Sequence, residues 1–150
     1  MKITLRLNGL ERQVEIEPYE YLLDLLRRLG CLSVKRGCDT SSCGVCTVLF
    51  DGKPVLSCTL FAAKADGHCV TTAEGLQREV GEFADFLVAA GADQCGYCNP
   101  GLALTVLALK AEEPHPTEAA IRQYLAGNLC RCTGYAGQLR AIQKYLGVQS

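Results

Sequence analysis

The chain has 150 residues, 49% hydrophobic and 21% charged, with a formal net charge of −1 at pH 7. This is a globular composition with room for one compact domain or two small ones. The near-neutral charge lacks the basic excess that non-specific binding to nucleic acid or anionic lipid needs. The apolar stretch "LALTVLAL" at 102–109 has the length of a buried helix, far short of a bilayer span, so neither nucleic acid nor membrane is an expected partner.

The N-terminus alternates at once as a strand, with Ile3, Leu5 and Leu7 on one face. It shows no apolar signal core or twin arginine, which makes the cytoplasm the expected compartment. Asn8-Gly9 supplies a hairpin turn, and Leu10, Val14 and Ile16 continue on a second strand. Pro18 is expected to open a helix carrying Leu22, Leu23, Leu26 and Leu29, with Gly30 placed to end it. "TVLF", "DG" and "KPVLSC" over 47–58 read as another hairpin, and "HCVTT" at 68–72 as a short strand. Up to residue 75 the pattern is a small mixed sheet crossed by one helix.

Beyond that point the period becomes helical. Phe83, Phe86, Leu87 and Ala90 mark one helix face, ended near Gly91. Asn99 and Pro100 are expected as N-cap and first residue of a helix over 100–112. Its Leu102–Leu109 stripe reads as bundle core or subunit interface. Thr117 is expected to cap a third helix with Ile121, Tyr124 and Leu125, and a fourth over about 136–146 carries Leu139, Ile142 and Tyr145 or Leu146. Four helices with short connections predict a bundle, giving an α+β chain with domains at 1–75 and 76–150. With no low-complexity linker near 75, the boundary is expected to be a contact and not a tether.

Ten cysteines are many for a cytosolic chain, where metal binding explains them better than disulfides do. Cys38, Cys43 and Cys46 follow a C-x4-C-x2-C spacing, with Cys58 after eleven intervening residues. This is the plant-type spacing for a [2Fe–2S] cluster, which needs four thiolates converging on two irons. A zinc site is the alternative, but the triplet fits poorly with the paired short spacings zinc uses. The second set is Cys95-x2-Cys98, then Cys130-x-Cys132. Each pair lies just before an expected helix, whose free N–H groups and positive dipole end stabilise thiolates. Taken alone, this set suits zinc as well as a second two-iron cluster.

The words around these cysteines carry a resemblance. "LNG" at 7–9, "LLDLLRRLG", "SVKRGCD", "CGVCTVLFDGKPVLSC", "QCGYCNPG" and "LAGNLCRCTGYAGQLRAI" occur in order over essentially the whole chain. The sequence resembles the small iron–sulfur subunit of the molybdenum hydroxylases, the xanthine dehydrogenase and aldehyde oxidoreductase family. The resemblance implies a β-grasp, plant-type ferredoxin-like domain followed by a four-helix [2Fe–2S] domain. It implies that Cys95, Cys98, Cys130 and Cys132 hold the cluster nearer a molybdopterin site in a large partner subunit. Cys38, Cys43, Cys46 and Cys58 would hold the cluster nearer an FAD in a medium subunit. Electrons would pass singly from molybdenum through both clusters to the flavin or another acceptor. The implied assembly is a hetero-oligomer, with a dimer of heterotrimers as one arrangement. Gln94 matches the family glutamine that hydrogen-bonds the pterin, and the Cys132 sulfur is expected close to it; read from the residues alone, Gln94 is only a loop amide.

Two positions depart from the family pattern. Ser41 stands where a glycine is usual, which predicts modest strain if the backbone there is left-handed. Asn99 replaces a common threonine. Cys31 and Cys69 belong to neither set and are expected as small buried apolar residues; His68 and His115 are expected at the surface, and Arg131 has either a field-tuning or an ion-pair role. No Ser/His/Asp set, phosphate loop or paired carboxylates point to substrate chemistry on this chain, so no catalytic residue is expected. Two rival readings remain: a self-standing two-cluster ferredoxin and a zinc-stabilised binding module.

Overall fold

The computed structural model describes residues 1–148. Strands β1 (Lys2–Leu7) and β2 (Leu10–Glu15) pair antiparallel through a tight turn. Asn8 and Gly9 both take positive φ there, 51° and 83°, as a two-residue turn of this hand requires. Strands β3 (Thr47–Phe50) and β4 (Lys53–Leu56) form the second hairpin through Asp51-Gly52. Strand β5 (Cys69–Thr71) pairs parallel with β1 and antiparallel with β3, joining the hairpins into one sheet of order β2-β1-β5-β3-β4.

Helix α1 (Leu22–Arg28) begins four residues after Pro18, later than its sequence predicts. Tyr21 is held extended instead: it bridges to Phe61, their rings stack with centroids 5.1 Å apart, and the Leu22 N–H donates to the Leu60 carbonyl at 2.7 Å. Leu22, Leu23, Leu25 and Leu26 then pack with Ile3, Leu5, Val48 and Val70 of the sheet as one core.

Helices α2 (Gln77–Ala89), α3 (Asn99–Glu112), α4 (Glu118–Tyr124) and α5 (Ala136–Leu146) enclose a second core around Phe83, Leu87, Val106, Ile121 and Ile142. The architecture is therefore α+β, a small ferredoxin-like sheet followed by a four-helix unit. Helix α3 is apolar on nearly every side because it is sandwiched. Leu102, Ala103, Val106 and Leu109 face the bundle, while Leu104 and Ala108 pack on Leu49 of β3. Thr117 caps α4 by accepting from the Ala120 N–H at 3.2 Å.

Three local expectations are corrected. Cys98, not Asn99, occupies the N-cap position of α3; Asn99 is already helical, and its amide donates to Asp93 at 2.8 Å. The buried face of α5 runs through Gln138, Ala141, Ile142 and Leu146, with Leu139 only partly buried. Cys31 is buried as expected, but Cys69 is exposed, on a strand too short to cover it. His68 and His115 are both exposed, and His68 Nδ1 sits 2.6 Å from Asp51. Among the described residues no helix is long and apolar enough to cross a membrane.

A bonded joint closes the sheet unit just before the chain enters α2. The Thr72 N–H donates to Asn8 Oδ1 at 2.8 Å. Glu74 accepts from the Ser33 N–H at 2.8 Å, the Ser33 hydroxyl at 2.6 Å and the Thr72 hydroxyl at 2.6 Å. A Cβ on Gly75 would lie 2.4 Å from Asn8 Oδ1, so only glycine lets the chain pass that close.

Candidate metal centres

Residues 38–46 form a wrapped loop whose N–H groups turn inward on sulfur. The backbone N–H of Cys43, the Cys43 thiol and the N–H groups of Ser42 and Thr40 pull the Cys38 thiol down to about 6. Ser41 makes this wrap with φ 57°, the left-handed torsion its replacement of glycine had put in question. Its hydroxyl lies 3.7 Å from the Cys58 sulfur. Deeper in, burial and the neighbouring Cys58 push the Cys46 thiol up to about 11. With Cys58, which follows β4, the loop thiols interact in two pairs, Cys38 with Cys43 and Cys46 with Cys58.

The second set is built from helix ends and the loop before α5. Burial and the adjacent Cys130 raise the Cys98 thiol to about 11, although it caps α3. Desolvation therefore outweighs the helix end here. Burial also pushes Cys130 up, but the Thr133 hydroxyl and the N–H groups of Cys132 and Thr133 outweigh it, leaving that thiol below its usual range. Thr133 Oγ1 reaches Cys130 Sγ at 3.2 Å, and the Cys130 N–H donates to the Tyr135 hydroxyl at 3.2 Å. Cys132 lies four residues before α5, separated from it by Tyr135 at φ 69°, so no helix end serves it. Its sulfur is 3.5 Å from that of Cys95, whose proximity raises the Cys132 thiol. Again there are two pairs, Cys95 with Cys132 and Cys98 with Cys130.

Among the described residues no three His, Cys, Asp or Glu side chains are placed to share one metal ion. Thiols gathered in twos suit a centre with two irons, each taking two sulfurs, better than one tetrahedral ion taking four. The inward N–H groups around Cys38 are the donors such an anionic centre requires. The residues present therefore fit a pair of [2Fe–2S] clusters.

The two sets face each other. A cavity of about 370 Å³ is lined by Cys43, Gly37 and Val45 from the loop and by Cys95, Cys98, Cys130 and Cys132 from the helical unit. Backbone contact holds them together: the Leu129 N–H donates to the Cys43 carbonyl at 2.8 Å. The Tyr97 hydroxyl donates to the Arg36 carbonyl at 3.0 Å. A Cβ on Gly44 would meet the Gly127 carbonyl at 2.1 Å, and one on Gly101 the Gly44 carbonyl at 2.7 Å. Gln94 and Arg131 are exposed, Gln94 beside Cys95 and Arg131 on the cavity wall.

The profile of the 2Fe-2S iron-sulfur cluster binding domain matches residues 5–74, and that of the [2Fe-2S] binding domain matches residues 72–143. The chain is 46% identical to the nicotinate dehydrogenase small FeS subunit of Eubacterium barkeri over 146 residues, covering 95% of this chain and 92% of the relative. It is 44% identical over 133 residues to the xanthine dehydrogenase iron-sulfur-binding subunit of Escherichia coli O157:H7, covering 86% and 84%. Quinoline 2-oxidoreductase from Pseudomonas putida 86 superimposes with a TM-score of 0.90 at 37% identity, over 97% of this chain and 93% of that one. The chain belongs to the small iron–sulfur subunits of the molybdenum hydroxylases. Aldehyde oxidoreductase from Desulfovibrio gigas matches equally well, at TM-score 0.90 and 31% identity, but there this chain corresponds to 17% of a longer polypeptide. The family consists of subunits of oxidoreductase complexes, and two consecutive [2Fe–2S] binding domains give this subunit an electron-transfer role.

Residues that the cysteine spacing did not bring out are Thr133, Gln138 and Ser41, each with a polar atom within 4 Å of a sulfur in one of the two sets. Ser41 was already marked by its departure from the family pattern, and Gln138 had a signal of its own, an amide one turn before Ile142.

Proposed function

We propose that this chain relays electrons one at a time between a molybdopterin site in a large partner subunit and FAD, or another acceptor, in a further subunit. In this reading Cys95, Cys98, Cys130 and Cys132 hold the [2Fe–2S] cluster that receives electrons first. Cys38, Cys43, Cys46 and Cys58 hold the cluster that passes them on. Each cluster supplies a one-electron carrier, which divides the two electrons of a substrate oxidation into single steps. Gln94 is assigned to hydrogen-bond the pterin, with the Cys132 sulfur close by, and the domains divide at about residue 75.

The observation that carries the reading is the shared cavity: Cys43 lines the same hollow as the four cysteines of the helical unit. Electron transfer falls steeply with distance, and a carrier with two centres gains nothing unless they are close. Exposure of Cys95, Cys132 and Gln94 supports this face as the one turned to the molybdopterin subunit. The profiles meeting at residues 72–74, together with the two separate cores, support the domain division.

Anaerobic affinity purification of the full chain from its native cells tests the relay. The expected outcome is a coloured complex containing a molybdopterin-binding subunit and a flavoprotein. A coloured monomer without partners would instead identify a self-standing ferredoxin, and a colourless chain with stoichiometric zinc would identify a binding module.

A further inference from the structure

Helix α5 buries two glutamines, and they are satisfied differently. Gln143 donates from Nε2 to Glu118 Oε2 at 3.1 Å, an ordinary helix-to-helix bond. Gln138 is 4% exposed, and its Nε2 points to Cys98 Sγ at 3.8 Å. Burying an amide costs free energy unless it is well bonded, and a neutral thiol is among the weakest acceptors available. A thiolate sulfur bound to iron carries negative charge and accepts far better. Gln138 therefore gains its full partner only when Cys98 is a cluster ligand.

The surroundings hold the contact in place. Gln138 lines a cavity of about 200 Å³ whose wall combines Leu102, Ile121, Leu125 and Ile142 with Arg122, Asn128 and Tyr135. Its backbone is fixed within α5, where Gly137 packs so closely on Ala92 that a Cβ would lie 3.2 Å from the Ala92 methyl. The amide is thus held by packing and not by a mobile loop.

We propose that Gln138 is a positioning residue for the helical-domain cluster, whose buried N–H raises that cluster's reduction potential through Cys98 Sγ. The inference rests on Cys98 being a cluster ligand. One-electron reduction adds a negative charge that is shared onto the ligand sulfurs. A fixed N–H at one of them stabilises the reduced form more than the oxidised form. In the relay this makes the receiving cluster a better acceptor for each electron arriving from the molybdopterin side.

The test is an EPR-monitored redox titration of the purified complex with dithionite as the reductant, comparing wild type with Gln138→Met. Methionine preserves the volume and removes the donor. The midpoint of the helical-domain signal is expected to move to lower potential, with the plant-type signal unmoved. Gln138→Asn, which stays polar but withdraws the N–H by one methylene, is expected to shift it the same way and serves if the methionine variant loses the cluster. Gln143→Met, which removes the other buried amide, is expected to lower stability without moving either midpoint. Unchanged midpoints in the Gln138 variants, or equal shifts of both signals, would overturn the proposal. A wild-type protein without iron would instead overturn the cluster assignment itself.

Discussion

The two thiol sets reach similar chemistry by different means. The 38–46 loop turns its own N–H groups onto sulfur, and three of them help to bring Cys38 down to about 6. A helix has already spent most of its N–H groups on its own carbonyls, so the helical set has less backbone to offer. Cys98 remains near 11 despite its N-cap position. Here side chains add to the N–H groups of Cys132 and Thr133, with Thr133 on Cys130 and Gln138 on Cys98. A loop can therefore carry Ser41 at a left-handed torsion and keep its donors, because the donors are main chain. The helical set needs a few particular side chains beside its main-chain donors.

The contrast is sharpest where the two regions touch, and the largest effect is expected there. Gly44→Ala adds a Cβ 2.1 Å from the Gly127 carbonyl at a position with φ 75°. Left-handed strain and overpacking together predict a loss of about 3 kcal/mol or more. Thermal unfolding of the loaded protein should show it, together with disturbance of both EPR signals. Disturbance of the plant-type signal alone would mean that the loop does not position the helical set. Gly101→Ala meets the Gly44 carbonyl at 2.7 Å without a positive φ and should cost about 1–3 kcal/mol in the same assay.

The joint that closes the sheet unit before α2 predicts a pH effect. Burial raises the Glu74 carboxyl, but hydrogen bonds from the Ser33 hydroxyl, the Thr72 hydroxyl and backbone N–H groups outweigh it and hold it below the usual range. A depressed carboxylate contributes stability above its unfolded value, and that contribution is lost as pH falls through the folded value. Glu74→Gln should cost about 1 kcal/mol near pH 7, discounted for solvent screening. It should also flatten the fall in stability from about pH 5 downward in urea denaturation. Parallel acid profiles for variant and wild type would remove Glu74 from the joint.

The smallest effect belongs to the loop itself. Ser41→Gly relieves the φ 57° torsion and should stabilise by about 1 kcal/mol or less, since glycine also gains freedom in the unfolded chain. The plant-type cluster should survive, with its midpoint slightly lowered by loss of the hydroxyl near Cys58. Loss of that cluster would refute the view that main-chain donors carry the loop set.

Much of this was legible in the sequence because the signals were local. Asn8-Gly9 and Asp51-Gly52 dictate hairpins, and Thr117 dictates a helix start. The cysteine spacings and the words around them indicate two iron–sulfur domains. What escaped depends on contacts distant in sequence. The start of α1 is set by Phe61, forty residues after Tyr21. Asn99 does not cap α3 because the chain is already helical at that residue, with Cys98 in the N-cap position. Gln138 acquires meaning only when α5 is laid against Cys98. Exposure of Cys69 likewise depends on which neighbours a three-residue strand leaves uncovered.

The central claim is that eight cysteines make two independent clusters, four to each. Cys95→Ser tests it most directly, by EPR of the dithionite-reduced protein alongside iron content and circular dichroism. The account predicts that the helical-domain signal is lost or severely disturbed while the plant-type signal and the fold are retained. Loss of both signals from a folded protein would contradict it.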